Sequence, residues 1–261
     1  VRKGVVGVLD LEQYDYTRES TSLIRATEGT VVSRLPLRIK VRENALLELP
    51  HILILIDDEK QNLIEPLHDK TSQMKPLYDV DLMLQGGNVK GYQMTPEDCG
   101  LLAQGLARLA EPKVFEEKYG LPEKKPLVFA VGDGNHSLAT AKECYESVKK
   151  ALPREQALCH PARYTLVELN NLHDPSLVFE AIHRAVFDVE PEKFLHELQQ
   201  YCASRQGNHP PQQFTVLLGG KQETLCIPSP DCTLATGSVQ NFLDGYIQAY
   251  GGKVDYIHGE E

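Results

Sequence analysis

LVFAVGDGNHSLATAK, residues 127–142, changes character in its middle. Five apolar or small residues run into Gly132, Asp133, Gly134, Asn135 and His136, and a helix-like pattern follows. The first part predicts a buried strand over 127–133. The second predicts a helix over 136–152, with Ala139, Ala141, Tyr145, Val148 and Leu152 near one face and Pro153 as its stop. A strand that enters a helix through a Gly-rich turn offers free backbone N–H groups and the positive end of a helix dipole, and both favour an anion. Gly132 and Gly134 let the backbone bend and let a ligand come close. Asp133 adds a negative charge, which suits the site if a metal ion or a basic side chain bridges to the anion. Asn135 offers a donor, and His136 a donor or a proton shuttle. The plainer reading stands beside this one. Asp133 or Asn135 caps the helix, the glycines serve only the turn, and His136 is a surface residue.

Outward from that turn the chain alternates between strands and helices. GVVGVLDL (4–11) reads as a strand, and 12–36 as polar and turn-rich. PLRIKVREN (36–44) alternates weakly. HILILIDD (51–58) followed by QNLIEPL (61–67) reads as a hairpin. A soft segment with Gly86 and Gly87 comes next. TPEDCGLLAQGLARLAE (95–111) is a helix with Thr95 as its cap and Pro96 in its first turn. A short helical piece lies in 113–126. RYTLVELN (163–170) is a strand, and DPSLVFEAIHRAVF (174–187) is helical in part. PEKFLHELQQYCAS (191–204) is a helix with an apolar stripe of Phe194, Leu195, Leu198 and Cys202. QFTVLLGGKQETLCIP (213–228) is a hairpin turning at Gly219-Gly220. SVQNFLDGYIQAY (238–250) is a helix and VDYIHG (254–259) a last strand. The elements lack a strict βαβ rhythm, which predicts an α+β fold of mixed sheets with flanking helices. The whole chain, 1–261, reads as one α+β region, with sub-boundaries offered near 70–95 and 205–212.

Composition narrows the function classes. At 261 residues and 41% hydrophobic content the chain can bury a core. A formal net charge of −10 argues against a nucleic-acid partner. No apolar run approaches the roughly 18–20 residues of a membrane helix. The six cysteines form no CxxC pair, so a cytoplasmic protein with reduced thiols and no structural zinc is the plainest reading. P-loop, GxGxxG and GxSxG patterns are absent.

Three further stretches carry chemistry. SLIRATEGTVVSRLPLRIK (22–40) packs Arg25, Glu28, Thr30, Arg34 and Arg38 together. The arginines could grip phosphates and Glu28 could act as a general base, or the segment could be a solvated loop or an ion-paired strand. In NNLHDPSLVFEAIHRAVF (170–187), His173-Asp174 and His183-Arg184 lack HxH or HxxxH spacing, so lone structural histidines are the simpler reading. DDE (57–59) reads as a solvated turn, with metal binding as the other reading.

Together these stretches resemble a bacterial and archaeal family known as domain of unknown function 1015. Its members carry a DGHHR-like sequence after a strand, matched here by DGNHS (133–137). They carry an HExT-like motif followed by an Arg, matched by Glu28, Thr30 and Arg34 in ATEGTVVSR (26–34). A PxHR-like element is matched by His183 and Arg184 in EAIHR (180–184). The resemblance covers nearly the whole chain, and relatives are longer at both ends, so this sequence looks like the middle and larger part of one. Asn135 stands where relatives have a His, and Ser137 where they have an Arg. If that Arg holds phosphate, Arg25, Arg34 or Arg184 must replace it here.

More distantly, the strand–turn–helix is similar to the nucleotide site of the ParB and sulfiredoxin-like group, which includes free-serine kinases. That resemblance implies a nucleotide-dependent phosphotransferase acting on a small hydroxyl compound such as free serine, with ATP or ADP and Mg²⁺ as cofactors. Glu28, Asp133 and His136 would be catalytic, with Asp133 binding Mg²⁺ or orienting His136. Gly132, Gly134, Asn135, Ser137, Arg25, Thr30, Arg34, His183 and Arg184 would hold nucleotide and phosphate. A phosphatase for a small phosphoester such as phosphoserine, and a non-catalytic nucleotide or metabolite sensor, are the alternatives. The implied partners are a small substrate and a nucleotide, with neither nucleic acid nor membrane.

Overall fold

Ile52, Ile54 and Ile56 face one way along a single strand and are all but fully buried. Leu53 and Leu55, between them, are half-buried on the other side. That alternation places the strand in the middle of a sheet. The computed structural model describes residues 1–17, 19–27, 30, 32–43, 45–178 and 182–258. The fold is α+β, and the chain divides into two compact units, Val1–Val178 and Phe179–Glu261.

The first unit begins with β1 (Gly4–Asp10), β2 (Ile24–Ala26), α1 (Leu35–Arg42), β3 (Leu53–Ile56) and α2 (Glu65–Asp69). It continues with β4 (Lys75–Asp81), β5 (Asn88–Gln93), α3 (Pro96–Leu109) and α4 (Pro112–Tyr119). It closes with β6 (Phe129–Asp133), α5 (Asn135–Ala151), α6 (Arg154–Cys159) and β7 (Tyr164–Asn171). Five of these strands form a mixed sheet in the order β1-β7-β3-β6-β2. β7 runs parallel to β3, and β6 parallel to β2, while β1–β7 and β3–β6 are antiparallel. Leu138, Ala141 and Tyr145 of α5 pack on the isoleucine face, with Val131, Ile24, Leu11 and Tyr14. Each such large side chain, fully buried, stabilises the fold by roughly 1.5–3 kcal/mol. β4 and β5 form a separate hairpin.

The second unit holds β8 (Ile182–Phe187), α7 (Pro191–Ser204), β9 (Gln212–Leu218), β10 (Lys221–Ile227), α8 (Ala235–Tyr250) and β11 (Lys253–His258). β8 pairs with β11 and β9 with β10, all antiparallel. Its own core joins Leu198 and Cys202 of α7 to Leu225, Ile227, Phe242, Leu243 and Tyr246. Phe194 meets Phe242 and Tyr246 edge-on, with centroids 5.4 and 4.9 Å apart.

Several expectations are corrected. The weak alternation of 36–44 conceals α1, which opens with Pro36 in its first turn and buries Leu35. Residues 51–67 are not a hairpin. β3 takes β6 and β7 as neighbours, and the Asp58 carboxylate accepts the amides of Asn62 and Leu63 at 2.6 and 2.9 Å, folding the chain toward α2. The expected helical character of 174–187 gives way to β8 over its last six residues, because β11 supplies a full antiparallel partner. The soft segment after 67 contains the β4–β5 hairpin. Asp57 and Asp58 are not a solvated tip: Asp58 is buried, and Asp57 lies at the centre of a polar cluster. The stretches 70–95 and 205–212 lie inside the first and second units respectively.

Three local expectations hold. The capping box of α3 forms, with the Asp98 amide donating to Thr95 Oγ1 at 3.1 Å and the Thr95 amide to Asp98 Oδ2 at 3.2 Å. α7 spans the expected residues, and the 213–228 hairpin turns on Gly219 and Gly220, both at positive φ. The six cysteines are free. No helix among the described residues is long and apolar enough to cross a membrane.

Candidate functional site

The turn between β6 and α5 is built by close packing. Gly134 has φ +86°, and a Cβ there would lie 3.2 Å from Ile52 Cγ1 and 3.3 Å from Ile52 Cα. Gly132 would bring a Cβ within 2.8 Å of Leu55 Cδ1. Both glycines therefore serve the seating of the turn against β3. A register shift between Leu53 and Ile54 lets Asp133 pair with Leu53 at the end of the ladder.

Gly134 occupies the N-cap of α5, and no side chain caps that end. Asp133 is exposed, and its Oδ1 accepts the amide of Gly134 at 2.6 Å. The amides of Asn135 and Ser137 have no partner among the described residues, as the first turn of a helix dictates unless something caps it. The 17-residue helix directs its positive end at this turn. His136 is half-buried, and its carbonyl accepts the Thr140 hydroxyl at 2.7 Å.

Asn135 faces inward. It is buried, and its Oδ1 accepts the Thr27 amide at 3.2 Å. Its Nδ2 lies 3.3 Å from both Thr27 Oγ1 and the Val131 carbonyl. Thr27 Oγ1 donates to the same carbonyl at 2.6 Å. Because β2 runs parallel to β6, both strands deliver their C-terminal ends to this spot. The ATEGT and DGNHS stretches thus meet through Thr27 and Asn135. Glu28, the expected base, lies outside the described residues.

The arginines differ. Arg25 Nη2 donates to the carbonyls of Lys125 and Pro126, each at 3.0 Å, and burial lowers its guanidinium's pKa. Arg34 is exposed in the turn Val32–Arg34 that enters α1, and its guanidinium has no partner among the described residues. Thr30 Oγ1 is buried, again with no partner among the described residues. Arg184 and His183 lie on β8 of the second unit. Arg184 Nη1 donates to the Ile182 carbonyl at 2.6 Å and Nε to Gln240 Oε1 at 3.3 Å, while His183 is exposed.

Two neighbours of the turn escaped the sequence reading. Arg42 of α1 donates from Nη1 to the Ser137 carbonyl at 2.7 Å and is held by the Glu48 carboxylate. The His51 carbonyl touches the Gly134 position, and its imidazole Nε2 stands 2.5 Å from Glu168 Oε2, which Arg2 also meets at 3.0 Å. Only the HILILI run could have flagged His51, as the residue that enters a central strand.

A second polar cluster gathers at the adjacent C-terminal ends of parallel strands β3 and β7. Asp57 Oδ1 lies 2.7 Å from Lys118 Nζ and 2.6 Å from His173 Nε2, and Oδ2 accepts the Tyr119 hydroxyl. Burial pushes this carboxyl up, but the bonds from Lys118, Tyr119 and His173 outweigh it and hold it below its usual range. A cavity of about 20 Å³ beside it has room for about one water. A broader concavity of about 400 Å³ lies between α7 and α8, against Tyr201, Phe242 and Tyr246. Neither is lined by the β6–α5 turn. No group of three or more His, Cys, Asp or Glu among the described residues is placed to hold a metal ion.

The model of one protein family, described as "Protein of unknown function (DUF1015)", matches residues 1–246. The chain belongs to the DUF1015 family. The match spans the first unit and runs through most of α8 in the second. No curated protein and no solved structure matches the chain.

Proposed function

We propose that this DUF1015 protein is a nucleotide-dependent phosphotransferase acting on a small hydroxyl compound, with free serine as the first acceptor to try. The observation that supports this reading is the Thr27–Asn135 lock, which joins the two motif stretches at an uncapped helix N-terminus. A phosphate group suits the amides at the start of α5 and the dipole behind them. Asn135 takes a positioning role instead of a phosphate-binding one, since its amide is already bonded. Of the three candidate arginines, Arg34 takes the role of neutralising charge, because its guanidinium has no partner among the described residues while Arg25 and Arg184 are bonded within the protein. Glu28, which follows Thr27 in the chain, takes the hydroxyl proton, and His136 acts at the anion turn. A single exposed carboxylate fits Mg²⁺, which one or two carboxylates and substrate phosphates commonly hold, and Asp133 supplies it. Bound Mg²⁺ would offset phosphate charge as the phosphoryl group moves.

The test is incubation with ATP or ADP, Mg²⁺ and a panel of hydroxy amino acids. Acceptor-dependent nucleotide consumption supports the kinase, and Glu28→Gln should lower turnover by about 10²–10⁴-fold with nucleotide binding little changed. Phosphate release from phosphoserine without nucleotide would replace the kinase with a phosphatase. Tight nucleotide binding without either reaction would replace it with a sensor.

A further inference from the structure

The β4–β5 hairpin has two unlike faces. Tyr78 pairs with Gly91 and Val80 with Val89, while Asp79 pairs with Lys90 and Asp81 with Asn88. Directly paired residues share a face, so between Tyr78 and the tip one side is apolar and the other polar. The polar side is satisfied: Lys90 Nζ meets Asp79 Oδ2 at 2.9 Å, and Asn88 Nδ2 donates to Asp79 and Asp81, each at 2.9 Å. On the apolar side the Tyr78 ring lies over Gly91, where a Cβ would come within 2.2 Å of its Cζ.

Among the described residues nothing seals this side from water, and Tyr78, Val80 and Val89 are all exposed. Every residue of β4 is exposed. Leu82, Met83 and Leu84 extend the surface to the tip, with Met83 85% and Leu84 95% exposed. The tip is also strained, since Leu84 sits at φ +56° and Gln85 at +60°. A bulky residue seldom adopts that conformation, and here it displays two large apolar side chains to water. A lone two-stranded ribbon is marginally stable in water and needs a packed hydrophobic face.

We propose that this hairpin is the arm through which two copies of the chain associate, apolar face on apolar face. Two such ribbons stacked about 10 Å apart make a four-stranded sandwich with its own core. The contact is isologous, so one surface serves both partners. Tyr78, Val80, Val89, Leu82, Met83 and Leu84 together expose roughly 700 Å², close to the ~800 Å² each partner gives to a standard interface. From Tyr78 to the tip this face carries no charge; the pair Lys75–Gln93 lies at its far end, away from the tip.

The experiment is the solution mass of the full chain by light scattering and sedimentation across the micromolar range. The expected result is a dimer. Met83→Asp with Leu84→Asp should weaken it by roughly 100-fold or more, because charges would be buried within the contact. Lys90→Gln, on the polar face, should leave the dimer intact. Unchanged melting of both variants would show that they fold, as expected for exposed positions. A monomeric wild type, or a dimer insensitive to the two aspartates, overturns the proposal.

Discussion

Thr27 and Asn135 stand 108 positions apart in sequence and hold each other, backbone amide to side-chain carbonyl at 3.2 Å and side-chain amide to hydroxyl at 3.3 Å. This pair closes the end of the β2–β6 parallel ladder. It also fixes the residue before Glu28 to the residue before His136.

Asn135→Ala should therefore cost about 1–3 kcal/mol of stability, the usual loss when a buried hydrogen-bonded group is removed and its partners are left unpaired. Urea unfolding of the variant measures it. If Glu28 acts from this segment, turnover should fall further than stability alone explains, in protein that is still fully folded. An Asn135→Ala protein with unchanged stability would mean that the lock is not formed in solution.

Gly134→Ala and Gly132→Ala should separate backbone strain from side-chain crowding. Gly134 combines φ +86° with backbone at 3.3 Å, so the added methyl meets both problems, and about 1–2 kcal/mol is expected from the left-handed conformation alone. Gly132 crowds the end of the Leu55 side chain, which can turn away. Thermal melts should rank Gly134→Ala as the more damaging. The reverse order would contradict the packing of the turn on β3.

Asp10 gives a pH signature. Hydrogen bonds from Arg163, at 2.8 and 2.5 Å, lower its carboxyl below the ordinary 3.8, and the Glu12 amide adds to them against the opposing effect of burial. A carboxyl depressed in the folded state contributes stability above its unfolded value, and that stability is lost as pH falls through the folded value. Asp10→Asn should melt lower than wild type at neutral pH. The gap should close as the pH drops below 3.8. A gap that is constant with pH would remove the ion pair from the account.

Asp57→Ala should release Lys118, Tyr119 and His173 together, at a cost of about 1–2 kcal/mol. Hydrogen exchange should quicken in α4 and around His173. Protection unchanged at both places would show that the cluster is not what fixes them.

What the sequence determined by itself was local. The helix over 95–111 announces its start with Thr95, Pro96 and Asp98, all within one turn. Helix 191–204 carries its own apolar stripe, and Gly219-Gly220 admits a tight hairpin between two apolar runs. The DGNHS turn was legible because a buried strand, a glycine able to take positive φ and a helical pattern stand next to one another. Tertiary structure decided the rest, wherever the partner lies far along the chain. β8 is a strand because β11 pairs with it, although its spacing also suits a helix. HILILI became a central strand flanked by β6 and β7, which no neighbouring residue could specify. Asn135 looked like a ligand donor until its distance from Thr27 was known, and Asp57 like a solvated turn until Lys118, Tyr119 and His173 closed on it. Side-chain roles of this kind depend on which hydrogen-bond partners the fold brings within about 3 Å, a distance set by the packing of remote segments.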